Sequence, residues 1–216
     1  MIGFYNYTVI LTYVSLLISA VGISFAATGH PFVALCCLMA SGICDMFDGK
    51  IARTRKKSTD EEKRFGIQLD SLCDIVCFGV LPAAVGVSLA EEASQLVQIV
   101  SWAVGALFVL CALIRLAYFN VTEETRQATV GGRRTHFMGV PVTTAAVIFP
   151  FVYAVTIVSA EYLPTVEPWL YPAFLLATAV AFITPVKVKK PHAAGLIVLG
   201  VLGLLEAALL FWLILR

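Results

Sequence analysis

The chain alternates between long apolar stretches and short polar segments. A helix that crosses a bilayer needs about 20 apolar residues, and seven stretches of the sequence approach or exceed that length. The predicted spans are residues 8–27, 32–53, 67–89, 96–119, 140–160, 168–184 and 193–215. The sixth span is the shortest, so six spans are the alternative. The pattern predicts an all-α, polytopic bundle of about seven transmembrane helices.

Composition agrees with this pattern. The chain has 216 residues, of which 60% are hydrophobic and 13% are charged, whereas a soluble domain is roughly 45–50% apolar and about 25% charged. We therefore expect an integral membrane protein with a single domain over residues 1–216 that contacts the lipid bilayer. The net charge is only +1, and no nucleic-acid partner is expected.

The basic residues are concentrated in three of the polar segments. Residues 50–64 contain seven of them, and the segments at residues 115–134 and 187–190 contain most of the others. With seven spans, these three segments fall on one face of the membrane. The turns on the opposite face carry acids, namely Glu91, Glu92, Glu161 and Glu167. The positive-inside rule makes the basic face cytoplasmic.

Four of the five aspartates lie in or beside apolar sequence at this face. Asp45 and Asp48 are three residues apart, and Asp70 and Asp74 are four apart, so each pair lies on one side of its helix. Ionised carboxylates are costly at a membrane unless something neutralises them. Hard divalent cations with oxygen ligands would do so, and a diphosphate is the usual further partner of such a site.

Small residues continue the first acidic face. Gly49 and Ala52 follow Asp45 by four and seven residues, and the lack of bulk leaves room for a ligand to approach the helix backbone. Arg53 comes next, and its guanidinium could bind a phosphate with two hydrogen bonds. The alternative for Arg53 is a side chain that extends to the membrane surface.

Together these positions form the pattern D-x2-D-G-x2-A-R, a spacer, and G-x3-D-x3-D. The pattern resembles the signature of the CDP-alcohol phosphatidyltransferases. It is carried here by Asp45, Asp48, Gly49, Ala52, Arg53, Gly66, Asp70 and Asp74. The spacer of twelve residues, 54–65, is longer than the family usually has, and it predicts a lengthened surface loop. The segments 68–83, 115–120, 137–141 and 187–191 are similar to the phosphatidylserine synthase branch.

The resemblance implies a reaction and a set of residue roles. A phosphatidyl group would pass from CDP-diacylglycerol to L-serine, giving phosphatidylserine and CMP. Two divalent ions, Mg²⁺ or Mn²⁺, would be bound by Asp45, Asp48, Asp70 and Asp74, and Asp74 would also be the catalytic base. The nucleotide and phosphate contacts would come from Asp48, Gly49, Ala52, Arg53 and Gly66. The resemblance also implies a homodimer in a bacterial-type inner or cytoplasmic membrane.

The acceptor side is open to more than one interpretation. Candidates to hold a carboxylate or a phosphate are Arg115, Asn120, Arg133, Arg134, Lys187 and Lys189. The basic loops could also supply a cationic pocket for a phosphorylated acceptor, either glycerol 3-phosphate or an inositol phosphate. An alternative of another class is a cation transporter, but that function would favour acids spread through the membrane depth rather than clustered at one face.

Overall fold

The computed structural model describes residues 3–4, 6–52, 54, 59–129, 136–189 and 193–215. Helices dominate this part of the chain. In chain order they are α1 (Ile10–Ala27), α2 (Pro31–Ala52), α3 (Asp60–Asp74), α4 (Leu81–Leu89), α5 (Gln95–Thr129), α6 (Ala145–Tyr162), α7 (Glu167–Ile183) and α8 (Ala193–Leu215). Single 3₁₀ turns, Tyr7–Val9 and Val142–Thr144, lead into α1 and α6.

Five helical segments within the described residues are long and apolar enough to cross a membrane. They are Tyr7–Ala27, Pro31–Gly49, Asp60–Leu89, Gln95–Arg126 and Val142–Tyr162. Two shorter apolar helices, Glu167–Ile183 and Gly200–Leu213, lie where the sixth and seventh spans are predicted. The all-α, polytopic membrane architecture is thus confirmed, and the crossing of the last two helices stays a prediction.

The predicted loop at residues 54–65 is shorter than expected, because α3 begins at Asp60. Its start is fixed by a capping box: the Thr59 hydroxyl accepts from the Glu62 N–H (3.2 Å), and the Glu62 carboxylate accepts from the Thr59 N–H (3.0 Å). These two contacts satisfy backbone donors that a helix start otherwise leaves unpaired. Residues 60–65, which were predicted as part of the loop, are therefore the first turns of a helix.

The fourth predicted span, residues 96–119, ends too early for the same reason. α5 continues to Thr129, ten residues past the end of its predicted span. Glutamate, arginine and glutamine are good helix formers, and Arg126 bonds back to Glu123 one turn earlier, with Nη2 2.6 Å from Oε1. The change from apolar to polar residues marks the end of the apolar segment, whereas the helix itself continues to Thr129.

α3 and α4 belong to one helical rod, and a π-helical segment, Ile75–Val80, connects them. The Leu81 N–H donates to the Val76 carbonyl, five residues back. Pro82 follows, and it has no N–H with which to continue the regular α-helical pattern. A π-helical turn shifts the register of the side chains that follow it, here directly after Asp74.

A short antiparallel ladder joins two segments that were predicted as loops. β1 (His136–Met138) pairs with β2 (Lys187–Lys189), with Phe137 opposite Val188. Beside it, the Gly139 N–H donates to the Val186 carbonyl at 2.7 Å. Gly139 has φ +74°, a conformation that residues with a Cβ avoid.

The helices pack through two kinds of contact. α1 and α2 are joined by buried polar groups: the Ser19 and Ser41 hydroxyls are 2.7 Å apart, and the Ser41 hydroxyl donates to the Ser15 carbonyl at 3.2 Å. Such hydrogen bonds select partners in lipid, where burial of apolar surface discriminates poorly between helices. α5, α6 and α7 instead share a fully buried aromatic core of Phe108, Phe149, Tyr171 and Phe182.

Candidate active site

Three aspartates from two helices meet at one end of the bundle. Asp45 comes from the last third of α2, and Asp70 and Asp74 come from the end of α3. One carboxylate oxygen of each lies within 4.8 Å of the others. Each residue is partly buried. We refer to Asp45, Asp70 and Asp74 as the aspartate trio.

The spacing along α3 explains why Asp70 and Asp74 lie close together. Residues four apart lie one above the other on the same side of a helix, so Asp70 and Asp74 face α2 together. Asp48 lies outside the trio, and its carboxyl group is next to that of Asp70. The four aspartates therefore lie in one place, with three forming the tight cluster and the fourth at its side.

The trio fits a hard divalent cation. Three carboxylates at this separation repel one another unless a positive charge lies between them. Oxygen ligands lie about 2.0–2.6 Å from Mg²⁺ or Ca²⁺, so ligands on opposite sides of one ion are about 4–5 Å apart. The three carboxylate oxygens lie within 4.8 Å of one another, which is close enough for them to share one ion, and oxygen is the donor that such ions prefer.

The trio opens into a cavity of about 960 Å³. The facing wall is one side of α5, formed by Leu116, Phe119, Asn120 and Glu123, which recur at the spacing of a single helix face. The loop before α6 closes another side with Pro141, Val142 and Thr143. The cavity is large enough for the polar parts of two substrates at once.

Two of the predicted acceptor residues line this cavity. Arg115 is 6% exposed, and its Nε donates to the Val140 carbonyl at 3.3 Å. Asn120 donates from Nδ2 to the Ser71 hydroxyl at 2.8 Å. Ser71 follows Asp70 directly, so this bond ties the α5 wall to the helix that carries two of the three aspartates.

Charged residues at the cavity mouth were missed by the sequence analysis. Lys63, Arg64, Glu123 and Glu124 all line the cavity, but they lie in segments that were interpreted as loops. The signal that could have found them is the continued helical spacing of Leu116, Asn120 and Glu123. The periodicity persists there although the residues change from apolar to polar.

The small residues of the motif lie on α2 and α3, the two helices that carry the aspartates. Gly49 is exposed on α2, and Ala52 is the last residue of that helix. A Cβ placed at Gly66 would meet no atom within 4 Å, so packing inside this chain does not require a glycine there. Open space at a motif glycine leaves room for a ligand.

The side chains of the other predicted site residues lie outside the described part of the chain. Arg53, Arg133 and Arg134 lie outside the described residues. Lys187 and Lys189 lie on β2 by their backbone, and their side chains are likewise outside the described part of the chain.

Comparison with known proteins points to one family. CDP-diacylglycerol–serine O-phosphatidyltransferase of Saccharomyces cerevisiae is 37% identical over 134 residues, which is 61% of this chain and 43% of the yeast protein. The protein of that name in Mycobacterium bovis is 29% identical over 217 residues, covering 94% of this chain and 72% of the relative. Archaetidylserine synthase of Methanothermobacter thermautotrophicus is 32% identical over 164 residues, covering 75% of this chain and 60% of the relative.

The chain thus spans less than half of the yeast relative's length, and larger fractions of the lengths of the mycobacterial and archaeal relatives. The sequence profile described as CDP-alcohol phosphatidyltransferase matches residues 5–215, a range that includes the whole aspartate motif and every described helix. The chain belongs to the CDP-alcohol phosphatidyltransferase family.

Proposed function

We propose that this protein transfers the phosphatidyl group of CDP-diacylglycerol to L-serine, releasing CMP and forming phosphatidylserine. The family supports the donor class, and the names of the relatives from yeast and Mycobacterium bovis support serine as acceptor. The single observation that carries the proposal is the aspartate trio in the lining of a large cavity between the helices.

The position of the trio suits a lipid that carries a nucleotide. The acyl chains of CDP-diacylglycerol require hydrocarbon, whereas its diphosphate and cytidine require polar surroundings. The trio lies in the C-terminal part of the apolar helix α2, and at the point where the polar helix α3 leads into the apolar residues 75–89. Polar and apolar surroundings therefore meet within one site. The basic segments of the sequence support a cytoplasmic position for this site.

Asp45, Asp48 and Asp70 are proposed as ligands of two divalent ions, Mg²⁺ or Mn²⁺. Bound ions would supply charge neutralisation of the diphosphate and of the departing CMP. Asp74 is proposed as a ligand that also accepts the proton of the serine hydroxyl. The serine oxygen then attacks the phosphorus that carries the diacylglycerol, and the bond from that phosphorus to CMP breaks. A base within hydrogen-bond reach is needed because an alcohol is a weak nucleophile at neutral pH.

The nucleotide side of the site is proposed to follow α2 and the start of α3. Gly49, Ala52 and Gly66 would leave space for the cytidine. Asp48 would also contact the nucleotide, and Arg53 would hold a phosphate. The open space beside Gly66 supports this assignment. On the other side, Arg115 and Asn120 would contact the acceptor, with Arg133, Arg134, Lys187 and Lys189 as further candidates. We also propose a homodimer in a bacterial-type cytoplasmic membrane.

The decisive experiment uses purified protein in detergent or vesicles. CDP-diacylglycerol is supplied with Mg²⁺ or Mn²⁺ and one acceptor at a time: L-serine, glycerol 3-phosphate, inositol phosphate or no acceptor. CMP release and the mass of the lipid product are measured. We expect phosphatidylserine with L-serine and no turnover after chelation of divalent ions. If glycerol 3-phosphate or inositol phosphate gives a lipid product in preference to L-serine, that compound is the acceptor and serine is not.

The transporter alternative is tested in the same preparation. Cation-dependent uptake into sealed vesicles without CMP release would contradict the transferase. The clustering of the trio within 4.8 Å argues against an ion path through the membrane, which would require polar groups at successive depths.

A further inference from the structure

The α5 wall of the cavity carries charges of both signs. Arg115, Phe119 and Glu123 follow one another at intervals of four residues, so they lie along one side of the helix, and all three line the cavity. A pocket built only for a phosphorylated acceptor would gain nothing from the carboxylate of Glu123. The pairing of a buried cation with an acid on one wall therefore calls for an explanation.

The positive end of this wall is held in a defined position. The Arg115 Nε and Nη2 groups donate to the carbonyls of Val140 (3.3 Å) and Gly139 (3.5 Å), and the guanidinium carbon lies 5.5 Å from the centre of the Phe119 ring. A Cβ at Gly139 would approach the Arg115 Nε to 3.2 Å. The glycine thus makes room for a guanidinium that is directed towards the C-terminal part of α5.

The negative end is oriented by a neighbour. Arg126 donates to both carboxylate oxygens of Glu123, with Nη2 2.6 Å from Oε1 and Nε 3.0 Å from Oε2. The Glu123 side chain is 21% exposed. Each carboxylate oxygen can accept more than one hydrogen bond, and the ion pair with Arg126 fixes the direction of the carboxylate.

The two ends lie on the same side of one helix. The guanidinium lies over the Phe119 ring, and Glu123 follows Phe119 by four residues, a rise of about 6 Å along the helix. Asn120 lies between them on the same wall, and its bond to the Ser71 hydroxyl (2.8 Å) links the wall to the helix of Asp70 and Asp74. A molecule held between Arg115 and Glu123 thus lies across the cavity from the aspartate trio.

We propose that this wall is a zwitterion site, in which Arg115 binds the α-carboxylate and Glu123 the α-ammonium of the acceptor. The inference rests on the proposed function and identifies what selects an amino acid. The acceptor hydroxyl is left to face the aspartate trio. Glu123 also repels the negative charge of a phosphorylated acceptor, so one residue favours serine and opposes its rivals.

The test combines Glu123→Gln with acceptors that lack one charged group. L-serine is compared with 3-hydroxypropanoate, which has the hydroxyl and the carboxylate but no ammonium, and CMP release is measured for both. Loss of a hydrogen bond between charged groups should raise the KM for L-serine on the order of tenfold or more. The kcat/KM for 3-hydroxypropanoate should stay within about twofold, because that acceptor makes no contact with Glu123.

Two further variants separate contact from indirect effects. Glu92→Gln removes an exposed acid in the turn before α5 and should leave CMP release unchanged with both acceptors. Arg126→Gln is added to Glu123→Gln to ask whether Glu123 only neutralises its ion-pair partner. Full recovery of L-serine turnover in the double variant would overturn the ammonium site. An equal loss for both acceptors in Glu123→Gln would also overturn it.

These results are distinct from failure of the proposed function. If the wild-type protein releases CMP with L-serine but Glu123→Gln shows no selective loss, only the zwitterion site is wrong. If the wild-type protein uses glycerol 3-phosphate or inositol phosphate and not L-serine, the proposed acceptor and the zwitterion site are both wrong.

Discussion

The aromatic core and the aspartate trio are built on the same bundle by opposite physical rules. In the core, Phe108 lies 5.4 Å from both Phe149 and Phe182, measured between ring centres, and Phe149 lies 5.4 Å from Tyr171. All four side chains are at most 1% exposed. In the trio, three like-charged groups lie within 4.8 Å and are only partly buried.

This difference distinguishes residues that stabilise the fold by packing from residues whose role is to bind a ligand. Each ring of the core fills space and makes contacts that stabilise the fold, and even the Tyr171 hydroxyl donates to the Pro82 carbonyl at 3.3 Å. The aspartates gain no comparable packing, and their mutual repulsion opposes folding. A positively charged ligand bound between them would offset this repulsion. The predictions below test this contrast, from the largest effect to the smallest.

The strongest test removes one charge from the trio. Asp74→Asn keeps the size of the side chain but abolishes its basicity, so CMP release should fall about 10³-fold. The thermal unfolding temperature of the protein without metal should stay the same or rise, because one repelling charge is gone. Near-normal CMP release would show that Asp74 is not the base. A lower unfolding temperature would show that Asp74 stabilises the fold, as a core residue does.

A second substitution fills the space beside the trio and leaves the carboxylates intact. Gly49→Leu places a bulky side chain on the exposed face of α2, where the proposed nucleotide position lies. Misplacement of the donor should lower kcat/KM for CDP-diacylglycerol about 10²-fold. Binding of Mn²⁺, followed by its electron paramagnetic resonance signal, should be unchanged. Loss of Mn²⁺ binding would mean that the glycine shapes the metal site itself.

A matched pair of glycine substitutions compares the two rules directly. A Cβ at Gly42 would lie 2.6 Å from the Ala146 Cβ, whereas a Cβ at Gly66 would meet no atom within 4 Å. Gly42→Ala should therefore lower the free energy of unfolding by about 1–3 kcal/mol through overpacking between α2 and α6.

Gly66→Ala should leave that free energy unchanged or raise it by up to about 1 kcal/mol, because alanine favours the helix. Its KM for CDP-diacylglycerol should nevertheless rise. Thermal unfolding in detergent and CMP release measure the two quantities on the same samples. Equal destabilisation by the two substitutions would remove the distinction between a packing glycine and a ligand-binding glycine.

The smallest effect is expected at the start of α3, away from both clusters. Thr59→Ala removes the hydroxyl of the capping box and should destabilise the first turn by about 1 kcal/mol. Hydrogen exchange should become faster at residues 60–63, while kcat for L-serine should change little. A large loss of activity would mean that the aspartate trio depends on the polar turns before it.

The amino-acid sequence by itself determined the helical membrane class and the composition of the site. The lengths of the apolar runs follow from bilayer thickness, and the three- and four-residue spacings place each aspartate pair on one helix face. Both properties are local, so they can be inferred without knowing how the helices are arranged. The family resemblance at residues 45–74 then indicated the reaction class.

Only the tertiary structure decided which of these residues meet. Helical spacing fixes the face on which a side chain lies, but it does not fix the rotation of α2 relative to α3. The tight grouping of Asp45, Asp70 and Asp74 with Asp48 beside it therefore could not be inferred from spacing. The same holds for β1 and β2, which pair across a separation of about fifty residues, and for Glu123 on the cavity wall. Contacts between distant segments depend on the packing of the whole bundle, which local periodicity does not determine.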